Sequence, residues 1–268
     1  MTAPIKTYWW RRQYPHRLNF GDEITAPLVE RLTGRRVEWA PPHRCELVGA
    51  GSVIQRVLPR QKENRPLFWG TGYISGGAET DPLDHVEALA VRGRSTLSRI
   101  ENTSPAPAVL GDPGILAPLL VDGSVRKRHV LGVIPHYHDA ELRSVQQLRE
   151  LGPEVRVVDV GWTPQEVARE IAACDAVISS SLHGLIFADA LGVPNAHVRL
   201  STKPLGGLYK FYDYYSAYSA PDRYQQYRLP ESVPASVNEV VEAVVENYVE
   251  PTGIDELQQG LIQALRAL

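Results

Sequence analysis

Apolar residues fall into short runs along the chain, and the period within the runs switches back and forth. "IKTYWW", "CELVGAGSVI" and "LFWGTGY" have the β-branched and aromatic character of strands, and the last two run into glycine turns. Between the first two lies "DEITAPLVERLTG", whose apolar positions recur at helical spacing and whose Gly34 supplies a stop. "VEALAVRG" reads as a strand leading to the helix "RSTLSRI", and "PAVLGDPGILAPLL" as strand, turn and helix. The polar stretch "VDGSVRKRH" interrupts this alternation. It then resumes with "VLGVIPHY" (strand), "AELRSVQQLRELG" (helix), "EVRVVDV" (strand), "TPQEVAREIAAC" (helix) and "AVISSS" (strand). "SVNEVVEAVVENYV" and "GIDELQQGLIQALRAL" predict closing helices.

Strands alternating with short helices imply βα units and mostly parallel sheets. The interruption divides the chain into two Rossmann-like lobes, residues 1–124 and 125–268, facing a cleft; 268 residues suffice for both. Open α/β sheets bind ligands beyond the carboxyl ends of their strands. The polar residues gather there: Asn19 and Asp22 in "NFGDE", Arg92 and Arg94 in "VRGRS", Asp112 in "LGDPG", His136 and His138 in "IPHYHD", and Ser179 to His183.

Composition narrows the classes. Lys+Arg 28 against Asp+Glu 31 gives a net charge of −3, which offers no basic face for nucleic acid; Arg126, Lys127 and Arg128 read as a solvated turn. No apolar run approaches the length of a bilayer span, and the start "MTAPIKTYWWRRQYPH" lacks a signal-peptide layout, so a cytoplasmic location is expected, with at most peripheral membrane contact. Cys45 and Cys174 form no metal clip or disulfide framework and are read as buried thiols.

Each polar motif has a structural explanation beside the functional one. In "VISSSLHGLIFADALGVP", Ser180 or Ser181 can simply cap a helix that ends at Gly192, with Leu182, Leu185, Ile186 and Ala190 as its buried stripe. His183 then lies off that stripe in the first turn, where free amides and the helix dipole favour anions, so the motif also reads as an anion pocket with a titratable group at its mouth. Arg92 and Arg94 suit a carboxylate or phosphate, or are a surface pair ahead of a capping Ser95. Asp112 and Asp22 can act in a site or merely cap. The H-x-H pair would need further ligands to hold zinc, which the sequence does not name, so His136 is read as a polar cleft residue. "YKFYDYYSAY", carrying Lys210, is either a sugar-stacking wall or an amphipathic helix edge.

With these residues assembled, the chain resembles the polysaccharide pyruvyl transferase family, in particular short bacterial exopolysaccharide ketal-pyruvate transferases. The blocks that carry the resemblance are "NFGDEI", "AVRGRST", "GDPGILAP", "VIPHY", "VISSSLHGLIFADALGVP" and "KFYDYYSA". It implies glycosyltransferase-B-like lobes, phosphoenolpyruvate as donor, and an acceptor sugar with two nearby hydroxyls, lipid-linked or nucleotide-linked, that becomes a cyclic pyruvate ketal; no metal or other cofactor is expected. It implies that His183 is the general acid or base and that Asp112 takes the acceptor hydroxyl proton. Substrate contacts would come from Asn19, Asp22, Arg92, Arg94, His136, Ser180, Ser181, Leu182, Gly184 and Lys210. Many members carry an arginine where this chain has Ser181, so that anion contact must come from elsewhere or from the hydroxyl and the helix amides. A nucleotide-sugar glycosyltransferase of the same architecture is the alternative, favoured by a ribose-binding carboxylate pair that is not evident; a non-catalytic sugar-binding protein is a third reading.

Overall fold

The computed structural model describes residues 3–11, 18–58, 65–77, 87–100, 109–219, 226–227 and 236–266. Residue 86 and residues 107–108, read above as strand beginnings, lie outside these ranges, as do residues 267–268 at the end of the last expected helix.

The first half forms β1 (Ile5–Tyr8), α1 (Phe20–Glu23), α2 (Thr25–Thr33), β2 (Val37–Trp39), β3 (Leu47–Val48), α3 (Ile54–Val57), β4 (Leu67–Thr71), β5 (Glu87–Val91), α4 (Arg94–Ile100), β6 (Val109–Leu110) and a 3₁₀ helix, Pro113–Leu120. Its strands build a parallel sheet in the order β2-β1-β3-β4-β5-β6. The second half contributes β7 (His129–Ile134), α5 (Arg143–Arg149), β8 (Val155–Val157), α6 (Pro164–Ala172), β9 (Cys174–Ser179), α7 (Leu182–Ala190), β10 (Asn195–Val198), α8 (Tyr209–Tyr215), β11 (Gln226–Tyr227), α9 (Val237–Asn247) and α10 (Ile254–Leu265). Its parallel sheet runs β11-β10-β9-β7-β8.

Local chemistry sets the helix starts. α2 stops at Gly34, which takes a left-handed φ of 68° and returns its amide to the Glu30 carbonyl. α6 opens with a reciprocal capping box between Thr163 and Glu166, with Pro164 at its first position.

One apolar cluster runs beneath both halves, joining Phe20, Ile24 and Ile115 to Ile134, Ile186 and Phe187. Phe20 meets Phe187 edge-on at 4.8 Å. The last helix, α10, packs back on the first sheet: the indole N–H of Trp69 donates to the Leu261 carbonyl (2.9 Å) and Gln258 donates to the Ile115 carbonyl (2.7 Å). Large buried aromatic and aliphatic surfaces of this kind supply most of the stabilisation that holds the strand ends in register.

Candidate active site

Both sheets reverse their strand order once. The chain leaves β1 for β2 on one side and returns to β3 on the other; it leaves β7 for β8 and returns to β9. Such reversals open a crevice at the carboxyl ends of the strands. A cleft of about 110 Å³ lies there, lined by Trp10 after β1, Ser52 after β3, His136 after β7 and Ser181 after β9, and also by Asn19, Asp22, Val53, Arg56, Ile74, Tyr137, Leu182, His183, Leu205 and Lys210.

α7 begins where β9 ends, with Ser181 in extended backbone at the cap position. Neither candidate serine caps it. Ser180 Oγ donates to Asp139 Oδ2 and accepts from the His136 amide, both at 2.8 Å, and faces a neighbouring cavity; Ser181 Oγ makes no hydrogen bond among the described residues and lines the cleft. The stripe expected for this helix is also absent. Every residue from Leu182 to Asp189 is buried, because the helix is enclosed by β9 on one side and the 3₁₀ helix on the other. Gly184 serves that enclosure: a Cβ there would sit 2.3 Å from Ser179 Oγ, so glycine lets α7 close on β9, while Leu182 lines the cleft.

His183 is 8% exposed, and it occupies a slot between two glycines. A Cβ on Gly21 would lie 2.1 Å from its Nδ1, and one on Gly114 3.5 Å from its Cδ2. Asp112 caps the 3₁₀ helix, its Oδ1 accepting from the Gly114 amide (2.8 Å), with Pro113 at the first position. The same Oδ1 is 3.6 Å from His183 Nε2. That is ion-pair distance rather than a hydrogen bond. Nε2 and Asp112 Oδ2 are both buried without a hydrogen-bond partner among the described residues, an arrangement that calls for an explanation at a reactive site.

Asp22 does not cap a helix. Asn19 holds the cap position of α1 and donates its side-chain amide to Asp22 Oδ2 (2.6 Å). The other carboxyl oxygen rests against Gly51, whose φ of 101° and missing side chain admit it; a Cβ there would be 2.3 Å away. Burial pushes the Asp22 carboxyl up to about 7, with Asp112 and Glu23 acting in the same direction and His183 and Lys210 opposing. A carboxyl poised there can hold or release a proton at neutral pH.

Lys210 projects from α8 into the cleft, 8% exposed. Among the described residues no hydrogen bond or ion pair holds its ammonium. Burial, then the charge of Arg92, brings its pKa down to about 8, with Asp22 and Asp139 opposing. His136 is held neutral: burial, Lys210 and His138 lower it to about 3. Its Nδ1 accepts from the His138 amide (3.2 Å), which leaves Nε2 as the N–H donor. Among the described residues no group of three or more His, Cys, Asp and Glu could hold a metal ion.

The arginine pair is not an anion fork. Arg92 is fully buried and engaged with Asp213, Ser52 and Tyr73, and Arg94 is exposed outside the cleft lining. The arginine that does line the cleft is Arg56, on α3. The tyrosine-rich segment is likewise no sugar wall. Tyr214 is buried, donating to Asp189 Oδ2 (3.0 Å) and sharing a hydrogen bond with Tyr218 (2.5 Å). The aromatic surface at the cleft comes instead from Trp10 and Tyr137, stacked across the two halves with centroids 5.8 Å apart and planes 19° from parallel. Trp10 ends the strand-like run "IKTYWW" and Tyr137 lies inside "IPHYHD", so their places beyond strand ends were the available signal.

Residues 80–202, which include Arg92, Asp112, His136 and the whole Ser180–Gly184 block, match the family described as Polysaccharide pyruvyl transferase. Over that stretch the chain is similar to polysaccharide pyruvyl transferases. It is 29% identical over 219 residues to an uncharacterized protein of Acanthamoeba polyphaga mimivirus, which covers 78% of this chain and 75% of that one. It is 26% identical over 197 residues to the succinoglycan biosynthesis protein ExoV of Rhizobium meliloti, covering 71% of this chain and 58% of that one. The match to the family thus contains both members of the His183–Asp112 pair, whereas Asn19, Asp22 and Lys210 join the cleft from outside the matched residues.

Proposed function

We propose that the cleft binds phosphoenolpyruvate and transfers its pyruvyl group to two hydroxyls of one sugar, giving a cyclic ketal and inorganic phosphate. The acceptor belongs to a cell-surface polysaccharide or its lipid-linked precursor, and the two parallel sheets meeting at a cleft support reading the lobes as glycosyltransferase-B-like. No helix among the described residues is long and apolar enough to cross a membrane; a cytoplasmic enzyme working at the inner membrane face fits the substrate. The observation that carries the reading is the close pairing of His183 with Asp112 beside a buried Lys210 that has no ion-pair partner among the described residues.

Phosphoenolpyruvate is a multiply charged anion. Lys210, Arg56 and the amides of the first turn of α7 supply positive potential, the Ser181 hydroxyl a donor, and His136 Nε2 a neutral one. Proton balance then divides the chemistry. The first sugar hydroxyl loses its proton to His183 and adds to C2 while C3 gains a proton and becomes a methyl group; the second hydroxyl attacks C2, the C2–O bond to phosphate breaks, and its proton leaves with the inorganic phosphate. His183, with Asp112 stabilising its protonated form, takes the hydroxyl proton, and Asp22 is placed to hold the one that C3 receives. Both proton transfers take place within one small cleft, which Trp10, Tyr137 and Leu205 also line.

Incubation with phosphoenolpyruvate and a panel of lipid-linked oligosaccharides tests this. Release of phosphate together with a mass gain of one pyruvate ketal is expected. Stabilisation by a nucleoside diphosphate, with none by phosphoenolpyruvate, would instead identify a glycosyltransferase.

A further inference from the structure

Arg92 and Asp213 lie 121 residues apart, one beyond β5 of the first sheet and the other on α8 of the second half, and both are fully buried. Arg92 Nε donates to Asp213 Oδ2 at 2.9 Å, Nη1 to Ser52 Oγ at 2.5 Å and Nη2 to the Tyr73 carbonyl at 2.5 Å. Asp213 in turn accepts from the Thr96 amide and hydroxyl, both at 2.7 Å. Two glycines bring the parts together: a Cβ on Gly72 would lie 2.5 Å from Arg92 Cζ, and one on Gly93 1.7 Å from the Asp213 carbonyl oxygen. The guanidinium therefore sits behind the cleft wall, out of reach of a substrate.

Lys210 and Asp213 are three residues apart on α8, so both project from neighbouring positions on that helix. Pinning Asp213 fixes the height at which Lys210 enters the cleft. Arg92 also accepts no competing role for Ser52: it uses the hydroxyl oxygen as acceptor and leaves the hydroxyl hydrogen for the cleft that Ser52 lines.

We propose that Arg92 is a positioning residue, which through its buried pair with Asp213 sets both the place and the charge state of Lys210 and so governs how tightly the cleft holds an anionic donor. The inference rests on reading the cleft as a phosphoenolpyruvate site. The charged and titratable groups around Lys210 are Arg92 beyond β5, Asp22 on α1, Asp139 after β7, and the imidazoles His136 and His197, whose protonation Lys210 itself disfavours. Of these, Arg92 is the neighbouring cation whose charge lowers the lysine's proton affinity, and Asp213 is the group that compensates it.

Phosphoenolpyruvate affinity, measured by calorimetry across a pH range bracketing about 8, tests the proposal. In the wild type, binding should weaken as pH rises through that value, because the ammonium is lost. Arg92→Gln leaves Asp213 uncompensated and should move the midpoint up; Asp213→Asn leaves Arg92 uncompensated and should move it down. The double variant Arg92→Gln/Asp213→Asn, which leaves no buried charge unpaired, should return it close to the wild-type value and serves where a single variant does not fold. Opposite shifts, or a double variant closer to wild type than Asp213→Asn, support the assignment. Variants that lose thermal stability while keeping one common midpoint would overturn it, since a purely structural pair would behave so. Failure of the wild-type enzyme to bind phosphoenolpyruvate at any pH would instead remove the donor assignment beneath it.

Discussion

Asp112 uses one carboxyl oxygen for two purposes: Oδ1 caps the 3₁₀ helix through the Gly114 amide and stands 3.6 Å from Nε2 of His183. The helix cap holds the carboxylate where the imidazole needs a counter-charge, and Oδ2 remains without a partner among the described residues.

That division of labour separates structure from chemistry. Asparagine caps helices about as well as aspartate, so Asp112→Asn should change stability by less than about 1 kcal/mol. It removes the charge that stabilises a protonated His183, and together with His183→Gln it should lower turnover on the order of 10²- to 10⁴-fold while phosphoenolpyruvate binding persists. Phosphate release and thermal shift with the donor measure the two effects. Turnover near the wild-type rate in either variant would remove the pair from the mechanism.

Gly21 bears on the same imidazole from the opposite side. A methyl group there would lie 2.1 Å from His183 Nδ1 and 2.2 Å from Cγ, within the ring's own volume. Gly21→Ala should therefore displace His183 or α1, with a loss of about 1 to 3 kcal/mol in unfolding free energy and a fall in turnover out of proportion to it. A variant that unfolds fully below its assay temperature but is active when cold, with wild-type kinetics, would show that the ring tolerates the shift.

The alternation of strands and helices made the two parallel sheets legible, because each element carries its own period and stop signal: "TPQE" opens α6 and Gly34 closes α2. Of the residues read at strand ends, His183, Asp22, His136 and Ser181 line one cleft, with Asp112 beside His183, and Lys210 reaches it from α8. What local pattern could not carry was the direction of a side chain at a shared location. Arg92 sits beyond its strand as expected but turns inward, because Asp213 reaches it from a helix 121 residues away. The apolar stripe expected on α7 dissolved for a similar reason: a helix enclosed on both sides needs no polar face. Trp10 and Tyr137, from separate halves, form one aromatic surface that neither segment announces alone.

The raised proton affinity of Asp22 predicts a stability that depends on pH in a defined direction. Its carboxyl titrates near 7 when folded against 3.8 as the ordinary value, so between those limits the folded state binds the extra proton. Stability from this group is present at the acid end and declines as pH rises from about 4 to about 7. Asp22→Asn removes the ionisation cost and can keep the contact from Asn19. The variant should therefore be more stable than wild type at pH 8, by up to on the order of 4 kcal/mol from the full shift, and show little advantage at acid pH. Its pyruvyl transfer should fall because C3 loses a proton source. Melting curves of both proteins across that window decide it: parallel curves, with no gain toward alkaline pH, would mean that Asp22 is an ordinary ionised carboxylate.

Trp10 and Tyr137 line the cleft as a stacked aromatic pair, a surface suited to the weakly polar faces of a sugar rather than to phosphoenolpyruvate. Trp10→Ala removes one ring of the stack. Aromatic pairing contributes about 1 kcal/mol beyond simple burial, so KM for the acceptor should rise about fivefold or more, while KM for phosphoenolpyruvate and the pH dependence of turnover stay close to wild type. Trp10→Phe, which keeps a flat ring over Tyr137, should recover most of the loss. Steady-state kinetics with the donor and the acceptor varied in turn separate the two constants. An equal rise in both would mean that the stack merely holds the two halves together, and a rise confined to the donor would place the sugar on the other side of Leu205, in the cavity lined by Ser180, His197 and Arg199.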